Sequence, residues 1–78
     1  MVAAAGVRFE GDVLHVILTD GRDIGVPLDR IPWLAWLLRA TPEQRQGWSL
    51  QPRGFAVYWE ELDDGVEVEH LLALQPLR

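Results

Sequence analysis

Apolar residues alternate with polar or small ones from Val7 to Leu28: Val7 and Phe9, then Leu14, Val16 and Leu18, then Ile24, Val26 and Leu28. A period of two is what a strand with one buried face produces. Gly11-Asp12 and Asp20-Gly21 interrupt the pattern, and glycine supplies the positive φ that a two-residue hairpin turn demands. The segment therefore predicts three strands joined by two tight hairpins. Pro27 cannot donate to a ladder, so it marks the end of the third strand or an edge position.

After Leu28 the spacing becomes helical. Ile31, Leu34, Ala35 and Leu38 form one stripe, with Asp29 as N-cap and Pro32 in the first turn, which predicts a helix over about residues 30–40. Thr41-Pro42-Glu43-Gln44 has the spacing of a capping box and predicts a second, short helix ended by Gly47. Alternation returns in Trp48-Ser49-Leu50 and in Phe55 to Trp59, with the turn Gln51-Pro52-Arg53-Gly54 between them, so a second hairpin follows. Val66, Val68, Leu71 and Leu72 predict a C-terminal helix of about two turns, to which Leu74 and Leu77 could add contacts. The sum is an α+β fold: a small antiparallel sheet of two hairpin units, a central apolar helix, a short second helix and a C-terminal helix. Residues 1–78 read as a single domain, without internal repeat, low-complexity segment or linker.

The central helix carries a second apolar stripe of Trp33, Trp36, Leu37 and Ala40, so that only Arg30 and Arg39 interrupt an apolar surface all round. Such a helix is normally buried on every side. One sheet covers one face. The other must find loops, the C-terminal helix, the Trp48/Trp59 hairpin or another chain, and tryptophan is enriched at interface hot spots. Trp33, Trp36 and Leu37 are therefore candidate partner-binding residues.

Charge narrows the choice of partner. The chain has formal net charge -5, and its seven basic residues are all arginine. Residues 1–53 balance; the excess lies in Glu60, Glu61, Asp63, Asp64, Glu67 and Glu69, faced only by Arg78. A nucleic-acid binder needs the opposite footprint. Glu60, Glu61, Asp63 and Asp64 join the candidate partner-binding residues as a surface that would attract a basic protein, beside the plainer reading of a solvated acidic face. An EF-hand calcium loop alternates its ligands, places a Gly at the sixth position and closes with a Glu at the twelfth; this run does not match, so no metal site is expected.

Catalytic chemistry finds few parts. There is no cysteine, one serine (Ser49) and two histidines, His15 and His70. Most nucleophile triads and zinc constellations cannot be assembled from these. Asp63 and Asp64 could pair on paper for proton-transfer or glycoside chemistry, but a chain this short has little volume for a deep cleft. No enzyme activity and no cofactor are expected. The longest uncharged apolar stretch, Ile31 to Leu38, falls far short of the roughly 20 residues that cross a bilayer. No signal peptide is evident, and a cytoplasmic location is the default expectation.

The segments Val13 to Leu28 with Asp20-Gly21-Arg22 and Val26-Pro27-Leu28, then Ile31-Pro32, Ala40-Thr41-Pro42-Glu43-Gln44-Arg45 and Trp48, then Trp59 with Leu62-Asp63-Asp64 and Val68 to Leu72, resemble domain of unknown function family 2442 over about residues 7–73. The chain departs from that pattern at Glu60, where proline is usual after the tryptophan, and at Gly65, where a further acidic residue is usual. The resemblance implies a small bacterial α+β domain without known catalytic residues, often a stand-alone short protein, and antitoxin-like in that some members stand next to a small toxin-like partner. The motif residues themselves read as structural: Asp20-Gly21 for a turn, Thr41 to Gln44 for a cap, Trp48 and Trp59 for packing.

The leading expectation is a non-catalytic protein-interaction module, the antitoxin-like partner of a small toxin, with another small protein, a second copy of the chain or both as its partner. The alternative is a dimeric nucleic-acid-binding regulator presenting Arg22, Arg39, Arg45 and Arg53 on one face. An enzyme built on the acidic loop and His70 ranks last.

Overall fold

Period-two patterning becomes pairing. The computed structural model describes residues 2–74, and its strands β1 (Ala4–Glu10), β2 (Val13–Leu18) and β3 (Asp23–Pro27) form an antiparallel sheet in that order. Leu14, Val16, Leu18, Ile24 and Val26 point inward and are buried. Gly11-Asp12 closes the first hairpin as a two-residue turn, with Gly11 at φ 59° and Glu10 facing Val13. The second connection is longer than expected. Pairing stops at Ile17 and Asp23, and the intervening turn is held by Leu18 N–H donating to the Arg22 carbonyl and Arg22 N–H donating to Asp20 Oδ1. Pro27 ends β3, an edge strand, as expected.

The central apolar helix is present in a broken form. Two 3-10 turns, Leu28–Arg30 and Pro32–Leu34, precede a single α turn, α1 (Ala35–Leu38). Ile31 is the break, extended at φ -116° and ψ 98°, because the ring of Pro32 excludes the helical conformation from the residue before it. Asp29 lies within the first 3-10 turn and caps nothing. The next helix, α2 (Pro42–Arg45), has the complete capping box: Gln44 N–H donates to Thr41 Oγ1, and Thr41 N–H donates to Gln44 Oε1.

The second hairpin gains a third strand. β4 (Trp48–Leu50), β5 (Ala56–Trp59) and β6 (Asp64–Glu67) form a separate antiparallel sheet in chain order. β6 takes residues that the C-terminal helix was expected to use, so α3 runs only over Val68–Ala73. The pairing of Val57 with Val66 buries both side chains. Gly65 permits that approach: a Cβ there would lie 2.7 Å from the Val57 carbonyl oxygen. Gly54, at φ 68°, plays the same part between the turn and β1, where a Cβ would meet the Ala4 carbonyl at 2.6 Å. Leu74 packs on the core, whereas Leu77 lies outside the described residues.

One core joins everything. The inner residues of both sheets cluster with Leu28, Leu34, Leu37, Val68 and Leu71, and Trp59 is the largest side chain fully enclosed. Among the described residues no helix is long and apolar enough to cross a membrane.

Candidate functional site

The arginine of the Ala-Thr-Pro-Glu-Gln-Arg segment is a structural clamp. Arg45 leaves α2 with its side chain only 12% exposed. Its guanidinium donates to the carbonyls of Leu37, Leu38 and Gly11 and to Asp12 Oδ1, at 3.0 to 3.3 Å, and lies over the Phe9 ring. The Leu37 and Leu38 carbonyls belong to the end of α1; the Leu37 carbonyl also accepts from Ala40 N–H, and the planar fork of donors serves both carbonyls at once. The indole N–H of Trp59 in turn donates to the Arg45 carbonyl at 2.9 Å. One residue thus ties the first hairpin, α1, α2 and β5 together. Of the arginines expected on a nucleic-acid face, Arg45 is spent internally, and Arg22 is paired with Asp20 at 2.8 Å.

The expected partner-binding residues do not form one face. Leu37 is fully buried, which corrects its assignment to the surface: the turn of α1 directs it into the core. Trp36 is half-buried and packs edge-on against Trp59, ring centroids 5.8 Å apart. The hairpin tryptophan therefore covers the second apolar stripe from within. Trp33 differs, remaining 45% exposed with its ring beside His70 of α3. Glu60, Glu61, Asp63 and Asp64 gather at the β5–β6 turn, where Trp59 faces Asp64. Glu61 accepts from the Gln44 side chain, and Asp63, at φ 52°, accepts the Tyr58 hydroxyl at 2.6 Å. Donation to that carboxylate raises the Tyr58 pKa above its ordinary 10.0.

The other end of the same hairpin holds an apolar surface that the pattern of the chain conceals. By alternation Phe55 belongs with Val57 and Trp59, facing inward. It is instead 50% exposed, because β5 begins only at Ala56 and the left-handed residues Arg53 and Gly54 deliver Phe55 before pairing starts. Its carbonyl accepts from Val68 N–H at 2.9 Å, tying it to the start of α3. Val2, Phe55, Val68 and Leu72 line a groove of about 500 Å³, with Glu67 and Glu69 at its side. Trp33 stands against His70 of the same helix. The signal available in the sequence was the glycine immediately before Phe55.

A polar cluster occupies the outer face of the first sheet. Arg8 and His15 are cross-strand partners, and His15 pairs with Gly25, whose missing side chain leaves room for the imidazole. His15 Nδ1 lies 2.8 Å from Asp23 Oδ1, and Arg8 donates to Asp23 Oδ2 at 3.0 Å. Hydrogen bonding to His15 first, and then to Arg8, lowers the Asp23 pKa from its ordinary value. His15 Nε2 comes within 3.2 Å of Glu10 without an aligned hydrogen bond. Ser49, in the other sheet, donates to the Tyr58 carbonyl. Among the described residues no three His, Asp or Glu side chains are grouped to hold a metal ion.

Comparison with known proteins follows the fold. The family model described as "Protein of unknown function (DUF2442)" matches residues 4–76. A protein of unknown function from Rhodospirillum rubrum ATCC 11170, known from a crystal structure, has a TM-score of 0.76 at 23% identity over 94% of this chain and 87% of its own. An uncharacterized protein from Chromobacterium violaceum, solved by NMR in solution, has a TM-score of 0.74 at 27% identity over 91% of this chain. The match spans 64% of that protein's length. No curated protein matches the chain.

Proposed function

The chain belongs to the DUF2442 family of proteins of unknown function, and from that premise we propose that it is a non-catalytic protein-interaction module whose partner docks on the surface around α3. The observation that carries this reading is the exposure of two large aromatic side chains, Trp33 at 45% and Phe55 at 50%, on a molecule that encloses Trp59 completely. Aromatic residues left at the surface beside an apolar groove are the anchors from which protein interfaces draw most of their affinity. The acidic turn at residues 60–64 then acts mainly on encounter with a basic partner, since exposed charges steer association more than they hold a complex. The family resemblance supports an antitoxin-like role for such a module, with a small toxin as partner.

The test compares the tagged full chain with its Trp33→Ser and Phe55→Ser variants in mild affinity capture from the native cell extract, read by native mass spectrometry. One small protein at fixed stoichiometry with the wild type, and lost from both variants, is the expected result. Recovery of self-assembled chain alone, or a partner retained by both variants, overturns the reading. With the captured partner, rising salt should slow association more than it speeds dissociation; salt-independent kinetics would remove the steering role of the acidic turn.

A further inference from the structure

Resting on the interaction-module reading and naming its partner's chemistry, we infer that the groove between α3 and Phe55 receives a peptide segment of a partner protein that carries large apolar side chains flanked by arginine or lysine. The walls supplied by Val2, Phe55, Val68 and Leu72 are apolar, and a groove of about 500 Å³ is of the size that receives the anchor side chains of a peptide rather than a folded domain. The charge beside it has one sign. Glu67 and Glu69 bracket Val68 in sequence and both line the groove, and among the described residues no arginine does.

Neither carboxylate is neutralised by arginine among the described residues. Glu67 has a single ionic neighbour, His70 at 3.6 Å, and both of these side chains are more than half exposed. Two carboxylates at an apolar wall favour an apolar guest that brings cations to that place, and they repel an acidic one. Most of the binding would come from burying the exposed face of Phe55, with the glutamates selecting for charge. Of the arginines among the described residues, Arg8, Arg22 and Arg45 are each paired with an aspartate elsewhere.

The experiment uses the full chain and a fluorescein-labelled peptide of 14 residues in which leucines at helical spacing alternate with arginines, with two companions: glutamate in place of every arginine, and serine in place of every leucine. Fluorescence anisotropy should show binding of the Arg/Leu peptide alone. Phe55→Ser should weaken it at least tenfold, Phe55→Leu should retain most of it, and Glu43→Gln, exposed on α2 and not part of the groove lining, should leave it within twofold. The double variant Glu67→Arg, Glu69→Arg should lose the Arg/Leu peptide and bind the Glu/Leu peptide instead, an exchange that a misfolded variant could not produce.

Equal binding of the acidic peptide, no binding of the basic one, or equal losses from Glu43→Gln and Phe55→Ser would overturn the inference. So would a concentration-dependent dimer broken by Phe55→Ser, which assigns the groove to a second copy. Binding that emerges only with Leu77→Ser assigns it to the chain's own C-terminal segment, with the same consequence. These outcomes leave the broader reading to the capture experiment: a partner lost from the Trp33→Ser and Phe55→Ser variants there, together with failure of the peptides here, retains the module and discards the basic segment.

Discussion

Arg45 and the surface around α3 are opposite solutions to the same small molecule. At Arg45, a long charged side chain is drawn inside, where its guanidinium donates to three carbonyls and one carboxylate and lies over the ring of Phe9. Around α3, aromatic side chains that could have been drawn inside stay out, although the core lies one residue away at Ala56 and Leu34. The contrast separates residues that hold the fold from residues whose exposure asks for another explanation. It also shows why the motif shared with the family is a poor guide to function: its Thr41, Gln44 and Arg45 are occupied with each other and with the backbone.

The largest test of that contrast is Arg45→Ala. Removing the guanidinium leaves the Leu38 carbonyl without its donor and the Leu37 carbonyl with Ala40 N–H, and also frees the Gly11 carbonyl and Asp12; the expected loss is about 2–4 kcal/mol in urea unfolding. Arg45→Lys should recover only part of it, because an ammonium cannot span the same acceptors. A loss under about 0.5 kcal/mol for Arg45→Ala would show that the clamp is incidental. Next comes Thr41→Ala, which removes one half of the capping box. It should cost about 1 kcal/mol by the same measurement.

On the other side of the comparison, Trp33→Ser and Phe55→Ser should each change stability by no more than about 0.5 kcal/mol, as exposed positions do. If either unfolds the protein, that side chain belongs to the core and the interaction reading loses its anchor. The smallest expected effect is at Asp23, satisfied by His15 and Arg8 but open to solvent. Its folded-state pKa is lowered from 3.8, so its contribution is present above that value and disappears as pH falls through the lower folded value. Asp23→Asn should therefore be slightly less stable than the wild type at pH 6, with the gap closing as the pH falls below 3.8 and through the lower folded value. A gap that widens on acidification would reverse the assigned sign.

Much of this architecture was legible along the chain. The three strands before Leu28, the capping box at Thr41 to Gln44 and the hairpin of Trp48 and Trp59 each rest on local rules, a period of two or a cap three residues from its partner, and local rules are written in local sequence. The errors came where a local rule met a competing one. Pro32 forced Ile31 out of the helix that the apolar stripes promised. Val66 and Val68 suit either a helix stripe or a strand, and the partner strand β5 captured the first of them.

What the sequence by itself determined is the first three strands, the capping box of α2, the hairpin of Trp48 and Trp59 and the excess of acidic charge in residues 54–78. What only the tertiary structure decided is which apolar residues remain outside. Trp33, Trp36 and Leu37 lie within five residues of one another, yet one is exposed, one is covered by Trp59 and one is buried. Phe55 is out of the core while Val57, two residues on, is wholly within it. Burial depends on contacts supplied by distant parts of the chain, and spacing along one segment specifies a face without specifying what will cover it.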